Sequence, residues 1–300
     1  MNKKIISIFV IFTLILVIPT ANAQLTVGSD VKQELIEVKI NDKGEVDVKH
    51  IVKASNMPGT LHLFSGTISN LVVTNEMGEE KQSGIINDGL GNQSIFVLPS
   101  KENSIIKYNL ENIILKNNLF ITQISYAEKF SIVFDDQIKM IFVNNNAIFL
   151  EDKKGISVNG GGEIKIEFYS DIPKMIKEVQ WEENKFNVEI ITDSEIENFN
   201  FDQTSKSISF EVNEENKFVT IIMSEELLGG PYVILLDTEK IQYTKSEIDG
   251  YVALSMKPEL TGEITIIGTT VIPEFSMFIP LIMGFLIILT VPFVKKINLH

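Results

Sequence analysis

The chain has 300 residues, 44% of them hydrophobic and 22% charged, a length and composition that suit about two packed domains and exclude a compositionally disordered protein. It contains no cysteine, which removes disulfides, thiolate catalysis, zinc ribbons and cysteine-ligated iron–sulfur or blue-copper sites together. All 26 basic residues are lysine, and 40 acids leave a net charge of −14, a balance that argues against nucleic acid as a partner.

The first 23 residues read as a secretory signal peptide. Lys3 and Lys4 form a positive start, and Ile5–Ile18 is an unbroken apolar or small run of 14 residues. Pro19 ends that run, and Ala21-Asn22-Ala23 supplies a small–x–small cleavage pattern before Gln24. At ~1.5 Å per residue the run reaches only ~21 Å, short of a ~30 Å hydrocarbon core, so cleavage is expected rather than anchoring. Every Asp and Glu lies between Asp30 and Glu274, whereas Lys3, Lys4, Lys295 and Lys296 sit in the terminal segments. The exported body is therefore more acidic than the whole chain, a surface that stays soluble and offers no positive patch for phosphate or anionic lipid.

Between residues 31 and 270 the dominant period is two, the mark of half-buried strands. Val46, Val48, His50 and Val52 share one face against Asp47, Lys49 and Lys53, and Glu163–Phe168 and Ser207–Val212 alternate in the same way. Turn residues punctuate these runs at Asn41-Asp42-Lys43-Gly44, Asn75-Glu76-Met77-Gly78 and Asn87-Asp88-Gly89. The segments 181–186 (WEENKF) and 213–218 (NEENKF) carry nearly the same turn, read as convergence because their flanks do not align. The best helical candidate is one turn over Glu225–Leu228, opened by Ser224 and stopped by Gly229-Gly230. Many short strands with regular turns predict an all-β body of two β-sandwich (Ig-like) domains. Their break is expected at Ser170-Asp171-Ile172-Pro173, giving domains over 24–172 and 173–272.

Chemistry-bearing residues are few. His50 and His62 are the only histidines of the exported body; as a pair they lack a third metal ligand, and each reads as a packing or surface residue. No G-x-S-x-G elbow occurs, and Ser65 and Gly66 adjoin His62 only by proximity, so no serine hydrolase is expected. With 40 acids, some carboxylate pair falls at glycosidase spacing by abundance alone. Oxygen donors crowd at Asp135-Asp136, at Asn144-Asn145-Asn146 and at Glu151-Asp152, without EF-hand spacing. Asp135, Asp136 and Asn144 are thus the candidate ligands for a structural calcium ion, the one cofactor weighed. Asn92-Gln93-Ser94 is a glycosylation pattern, with Asn92 as acceptor. Gly160-Gly161-Gly162 reads as a tight turn.

Phe275–Val294 is a second apolar run, 20 residues without a charge and long enough to span a bilayer as a single helix. Lys295-Lys296 follow it, which by the positive-inside rule puts His300 in the cytoplasm and the body outside. Immediately before the run stand Pro273, Glu274 and Phe275. This order of motif, apolar span and basic end, over 273–300, resembles the archaeal PEF-CTERM sorting signal, and more closely the PEFG-type tails on surface proteins of ammonia-oxidising Thaumarchaeota. Ser276 stands where that tail usually has Gly. The stretch from Leu227-Leu228-Gly229-Gly230-Pro231-Tyr232 to Gly268-Thr269-Thr270-Val271-Ile272 also resembles the domain that commonly precedes it. The resemblance implies export, capture at the membrane and an archaeosortase-type processing enzyme as partner, together with surface-layer or envelope proteins.

The expectation from the sequence is therefore a non-enzymatic, membrane-anchored cell-surface protein with a structural, adhesive or surface-layer-associated role. The alternative is an extracellular module that binds cations or glycans through loops at the sandwich ends.

Overall fold

In the computed structural model the described residues are 29–87, 92–150, 154–181 and 183–269. Among them there is no helix, and the chain forms strands β1 to β25, numbered in chain order. The signal segment, the Glu151-Asp152 pair, the sorting motif Pro273, Glu274 and Phe275 and the run 275–294 lie outside the described residues.

Five sheets result. Sheet A runs β1 (Ser29–Asp30), β4 (Gly59–His62), β7 (Gln93–Val97), β6 (Gly84–Asn87). Sheet B runs β14 (Gly155–Val158), β11 (Phe130–Phe134), β2 (Gln33–Ile40), β3 (Val46–Val52), β8 (Ser104–Glu111), β5 (Thr67–Thr74). Sheet C runs β13 (Asn146–Phe149), β12 (Met140–Val143), β15 (Gly162–Phe168), β10 (Leu119–Tyr126), β9 (Ile113–Lys116). Sheet D runs β16 (Lys174–Trp181), β17 (Asn184–Thr192), β20 (Val219–Ser224), β24 (Tyr251–Met256), β23 (Tyr243–Ile248). Sheet E runs β18 (Ile196–Asp202), β19 (Ser207–Val212), β25 (Gly262–Ile267), β21 (Val233–Leu236), β22 (Glu239–Lys240).

The chain divides into two compact units. Among the described residues one comprises 29–36, 49–65, 70–87 and 92–107; the other comprises 37–48, 66–69, 108–150, 154–181 and 183–269. In the first, sheet A supplies buried Leu61, Ile95 and Val97, and His50 is fully buried with Phe64, ring centroids 5.8 Å apart. The parity predicted for β3 is the observed one, since Val46, Val48, His50 and Val52 are all buried and Asp47 is exposed. His50 donates from Nδ1 to Gln33 Oε1 at 2.6 Å, and burial pushes its pKa from 6.5 down to about 3.

In the second unit, one buried cluster draws on sheets D and E, from Val179, Val188 and Ile221 to Phe210, Ile234 and Ile266. A second cluster draws on sheets C and D: Leu119, Met140, Phe142 and Ala147 with Ile191 and Phe218. Sheet D is thus covered on both faces. On β20, Val219, Ile221 and Met223 enter the first cluster, while Thr220, pointing the other way, is equally buried and shares a 2.8 Å hydrogen bond with Ser255 Oγ.

Turn chemistry fixes the register. Asn41 Oδ1 accepts from the backbone N–H groups of Lys43 and Glu45, and its Nδ2 donates to the Glu45 carboxylate at 2.6 Å. Asn75 repeats every bond with Met77 and Glu79. Gly44 and Gly78 follow at φ +78° and +84°, a left-handed conformation that glycine adopts without strain. Two-residue turns with both φ values positive join β9 to β10 at Asn117-Asn118, β12 to β13 at Asn144-Asn145, and β23 to β24 at Asp249-Gly250. That is the type I′ geometry whose twist matches a hairpin. The two similar segments separate in role: in the first, Trp181 pairs with Asn184 and Gln180 with Lys185 across the β16–β17 ladder, whereas 213–218 carries the chain from β19 in sheet E to β20 in sheet D. At Ser224 the expected single turn forms, with Leu228 N–H donating to Ser224 O and Glu226 N–H to Ser224 Oγ.

Asn75→Ala removes two side-chain acceptances at a position only 7% exposed, so it should lower stability by about 1–2 kcal/mol, read by urea unfolding. His50 sets a pH dependence. Its folded pKa lies below its unfolded one, so its contribution is complete above pH 6.5 and is lost as pH falls toward 3, where only the unfolded chain takes up the proton. The loss totals roughly 5 kcal/mol across that window, and His50→Gln should flatten the acid limb of stability against pH relative to wild type.

Candidate functional site

Two polar constellations form that sequence reasoning missed. In sheet A, neighbouring strands align Asp30, His62 and Ser94. His62 Nε2 lies 3.2 Å from Asp30 Oδ1, and Ser94 Oγ donates to His62 Nδ1 at 3.0 Å. The chemical order is that of a Ser–His–Asp relay with the two ring nitrogens exchanged. Its setting differs from that of a hydrolase. The side chains of His62 and Asp30 are 61% and 78% exposed, so water screens the pair. Ser94 lies on β7, paired with His62 on one side and Ile86 on the other, and a central strand commits its backbone N–H groups to the ladder rather than to an oxyanion hole. The arrangement is a cross-strand polar row.

The second constellation is buried. Alternation places Glu167 on the polar face of β15, yet Ile166, Glu167 and Phe168 are all buried because both faces of sheet C are covered. Its lateral neighbours are Phe142 on β12 and Ile121 on β10, an apolar row in which a carboxylate needs strong partners. Lys165, two residues away on the same face, and Lys257, which follows β24, each place Nζ 2.9 Å from Glu167 Oε1. Glu167 Oε2 has no hydrogen-bond partner. Lys257 also lies 4.3 Å over the Phe218 ring, which stacks on Phe142, so one ammonium joins the carboxylate to an aromatic pair.

Tyr169, 4% exposed, brings a second unpartnered atom, its hydroxyl. Burial first, then the carboxylates of Asp193, Glu167 and Glu214, push the phenol pKa well up, so it remains a proton donor. Lys217 spans Asp193 at 2.6 Å and Glu214 at 3.6 Å, and Asn216 N–H donates to Pro258 O, fixing the 213–216 segment. These groups surround a cavity of about 600 Å³ whose lining carries four lysines and three glutamates. With Asp193 paired to Lys217, four lysines meet four carboxylates here, so the acid excess of the chain is locally balanced. A separate cavity of about 480 Å³ is more apolar, with Met140, Phe149, Ile172 and Ile222 in its walls.

The residues singled out from sequence fall elsewhere. Asp135 pairs with Lys39 at 3.2 Å and Asp136 with Lys154 at 2.7 Å; Lys154 holds the Asp136 carboxyl below its usual range. Asn144 is a turn residue, its Oδ1 accepting from Lys165 N–H at 2.9 Å. Among the described residues no three or more His, Asp or Glu side chains gather as metal ligands. Asn92 is exposed just ahead of β7.

Glu167→Ala strips two partly buried ammoniums of their shared partner and should cost about 3 kcal/mol, whereas Glu167→Leu combined with Lys257→Met should recover most of that loss. Chemical denaturation of the two variants beside wild type measures both.

No protein-family model matches the chain, and no curated protein is similar to it. Among solved structures it is similar to the aminopeptidase N family protein from Idiomarina loihiensis, at 10% identity and a TM-score of 0.32, over 51% of this chain and 32% of that one.

Proposed function

We propose that the protein is a non-enzymatic cell-surface component, exported and held at the outer face of an archaeal membrane by its C-terminal segment, with a structural or adhesive role in the envelope. One observation carries the reading: the body is built of strands throughout its described residues, and the sequence brackets it between a signal-peptide pattern and a Pro273-Glu274-Phe275, apolar run, Lys295-Lys296 ending. In this reading residues 24–172 and 173–272 are two Ig-like sandwiches. The core shared by sheets D and E, drawn wholly from residues after Pro173, supports the second. The processing partner is an archaeosortase-type enzyme acting at the tail.

Protease treatment of intact cells should release the body, and full protection would overturn the orientation. Mass spectrometry of the mature C-terminus should find the tail removed after recognition of Pro273-Glu274-Phe275; His300 on every molecule would favour simple spanning. A fluorophosphonate probe should leave Ser94 unlabelled, and stoichiometric labelling would make the Asp30–His62–Ser94 row an active site.

A further inference from the structure

We infer that one end of the paired sheets D and E is the membrane-facing surface of the second unit, and that its partner is a lipid surface of net-neutral headgroups. The inference rests on the reading of 275–294 as a membrane span and adds which part of the body that span holds down. The connections define two ends. At the far end the segments 193–195, 213–218 and 257–261 cross between the two sheets; at the near end 225–232 crosses from β20 to β21. β25 runs from Gly262 at the far end to Ile267 at the near end, level there with Ser207 of β19 and Val233 of β21.

The chain leaves the sheets at the near end, and its exit is fastened. Gly268 N–H donates to Lys206 O and Thr269 N–H to Gly229 O. Thr269 Oγ1 donates to Gly230 O at 2.6 Å, and Lys206 Nζ to Thr269 O at 3.1 Å. From this fixed point to Phe275, where the apolar run begins, six residues reach at most ~20 Å. Headgroups occupy ~5–8 Å of that distance. The near end is therefore held close to the lipid. The outer face of sheet E resists lying flat, because Glu197, Glu211 and Glu263 are direct cross-strand neighbours toward the far end and would lose hydration against headgroups.

Chemistry at the near end selects the lipid. Val233 and Tyr251 are exposed there, and a tyrosine ring suits the interfacial layer. Lys185 and Lys245 are paired to Glu178 and Glu225. Among the other described residues of this end, Lys206 stands against Glu183, Asp202, Glu226, Glu247 and Asp249. That acid excess repels an anionic bilayer within a Debye length and leaves net-neutral headgroups as the fit.

The test uses the full chain in phosphatidylcholine liposomes. With no native cysteine, single substitutions at exposed positions take an impermeant fluorophore: Gln203→Cys and Glu226→Cys at the near end, Glu215→Cys and Thr238→Cys at the far end. Energy transfer to an acceptor in the outer leaflet reads the height of each label. The near labels should lie about 15 Å closer to the bilayer, roughly the length of β25. A flexible insert of about 20 Gly and Ser residues after Thr270 should shrink that difference at least threefold. Anionic phosphatidylglycerol at low salt should raise the near labels by several Å, and about 0.5 M salt should reverse the rise. Failure of the chain to float with the liposomes would overturn the membrane span and this inference together. Flotation with all four labels at one height, or in the reverse order, would overturn the orientation alone. Near labels that move closer on anionic lipid would overturn the headgroup assignment, and transfer between near labels on separate chains would give this end to a second copy instead.

Discussion

A sheet has two faces, and sheet D buries both. Everything else in the second unit follows from that constraint. Its inward residues Val188, Ile221 and Leu254 pack in the cluster shared with sheet E, while Ile191 and, next to β20, Phe218 pack in the cluster shared with sheet C. A strand covered twice cannot send its polar positions to water, so they must bond to one another. Thr220 and Ser255 do so as a neutral pair. Glu167, on the facing sheet C, does so as an ion with two lysines, and its second oxygen is one of several buried polar atoms, with Thr122 Oγ1 and the Tyr169 hydroxyl, that this covering leaves without a partner.

The fold was legible wherever a strand had one wet face. β3, and β19 from Ile208 on, alternate in sequence and in burial, and the position of His50 follows from parity alone. The same rule misreads β15, where Glu163 is exposed as expected but Glu167, on the same face, is buried. Period two reports which residues share a face and is silent on what covers that face. Lys257 carries no local signal at all, because its approach to Glu167 depends on the packing of strands about 90 residues apart. The Asp30–His62–Ser94 row was hidden for a related reason: it needs the cross-strand register of β1, β4 and β7.

Asparagine was the residue most easily misread. A run such as Asn144-Asn145-Asn146 suggests oxygen ligands, yet the first two occupy left-handed turn positions with φ of 50° and 66°, a backbone that Asn tolerates better than most side chains. Asn117-Asn118 does the same between β9 and β10. The Asp249-Gly250 turn was readable from its dipeptide. The asparagine turns were readable only by asking what closes a hairpin before asking what binds an ion.

The paired motifs at Asn41 and Asn75 also bear on how such a body assembles. Most of its strand contacts join distant parts of the chain, which makes for slow folding because loop closure precedes the contacts that reward it. The Asn41–Glu45 and Asn75–Glu79 turns close every side-chain bond within five residues, so they are available on the microsecond scale of hairpin formation, before any sheet is complete. With no cysteine to cross-link the unfolded chain, these local closures are the early restraints on alignment: each sets which residues of β2 and β3, or of β5 and the segment after it, meet first, and shortens the search for the partners that follow.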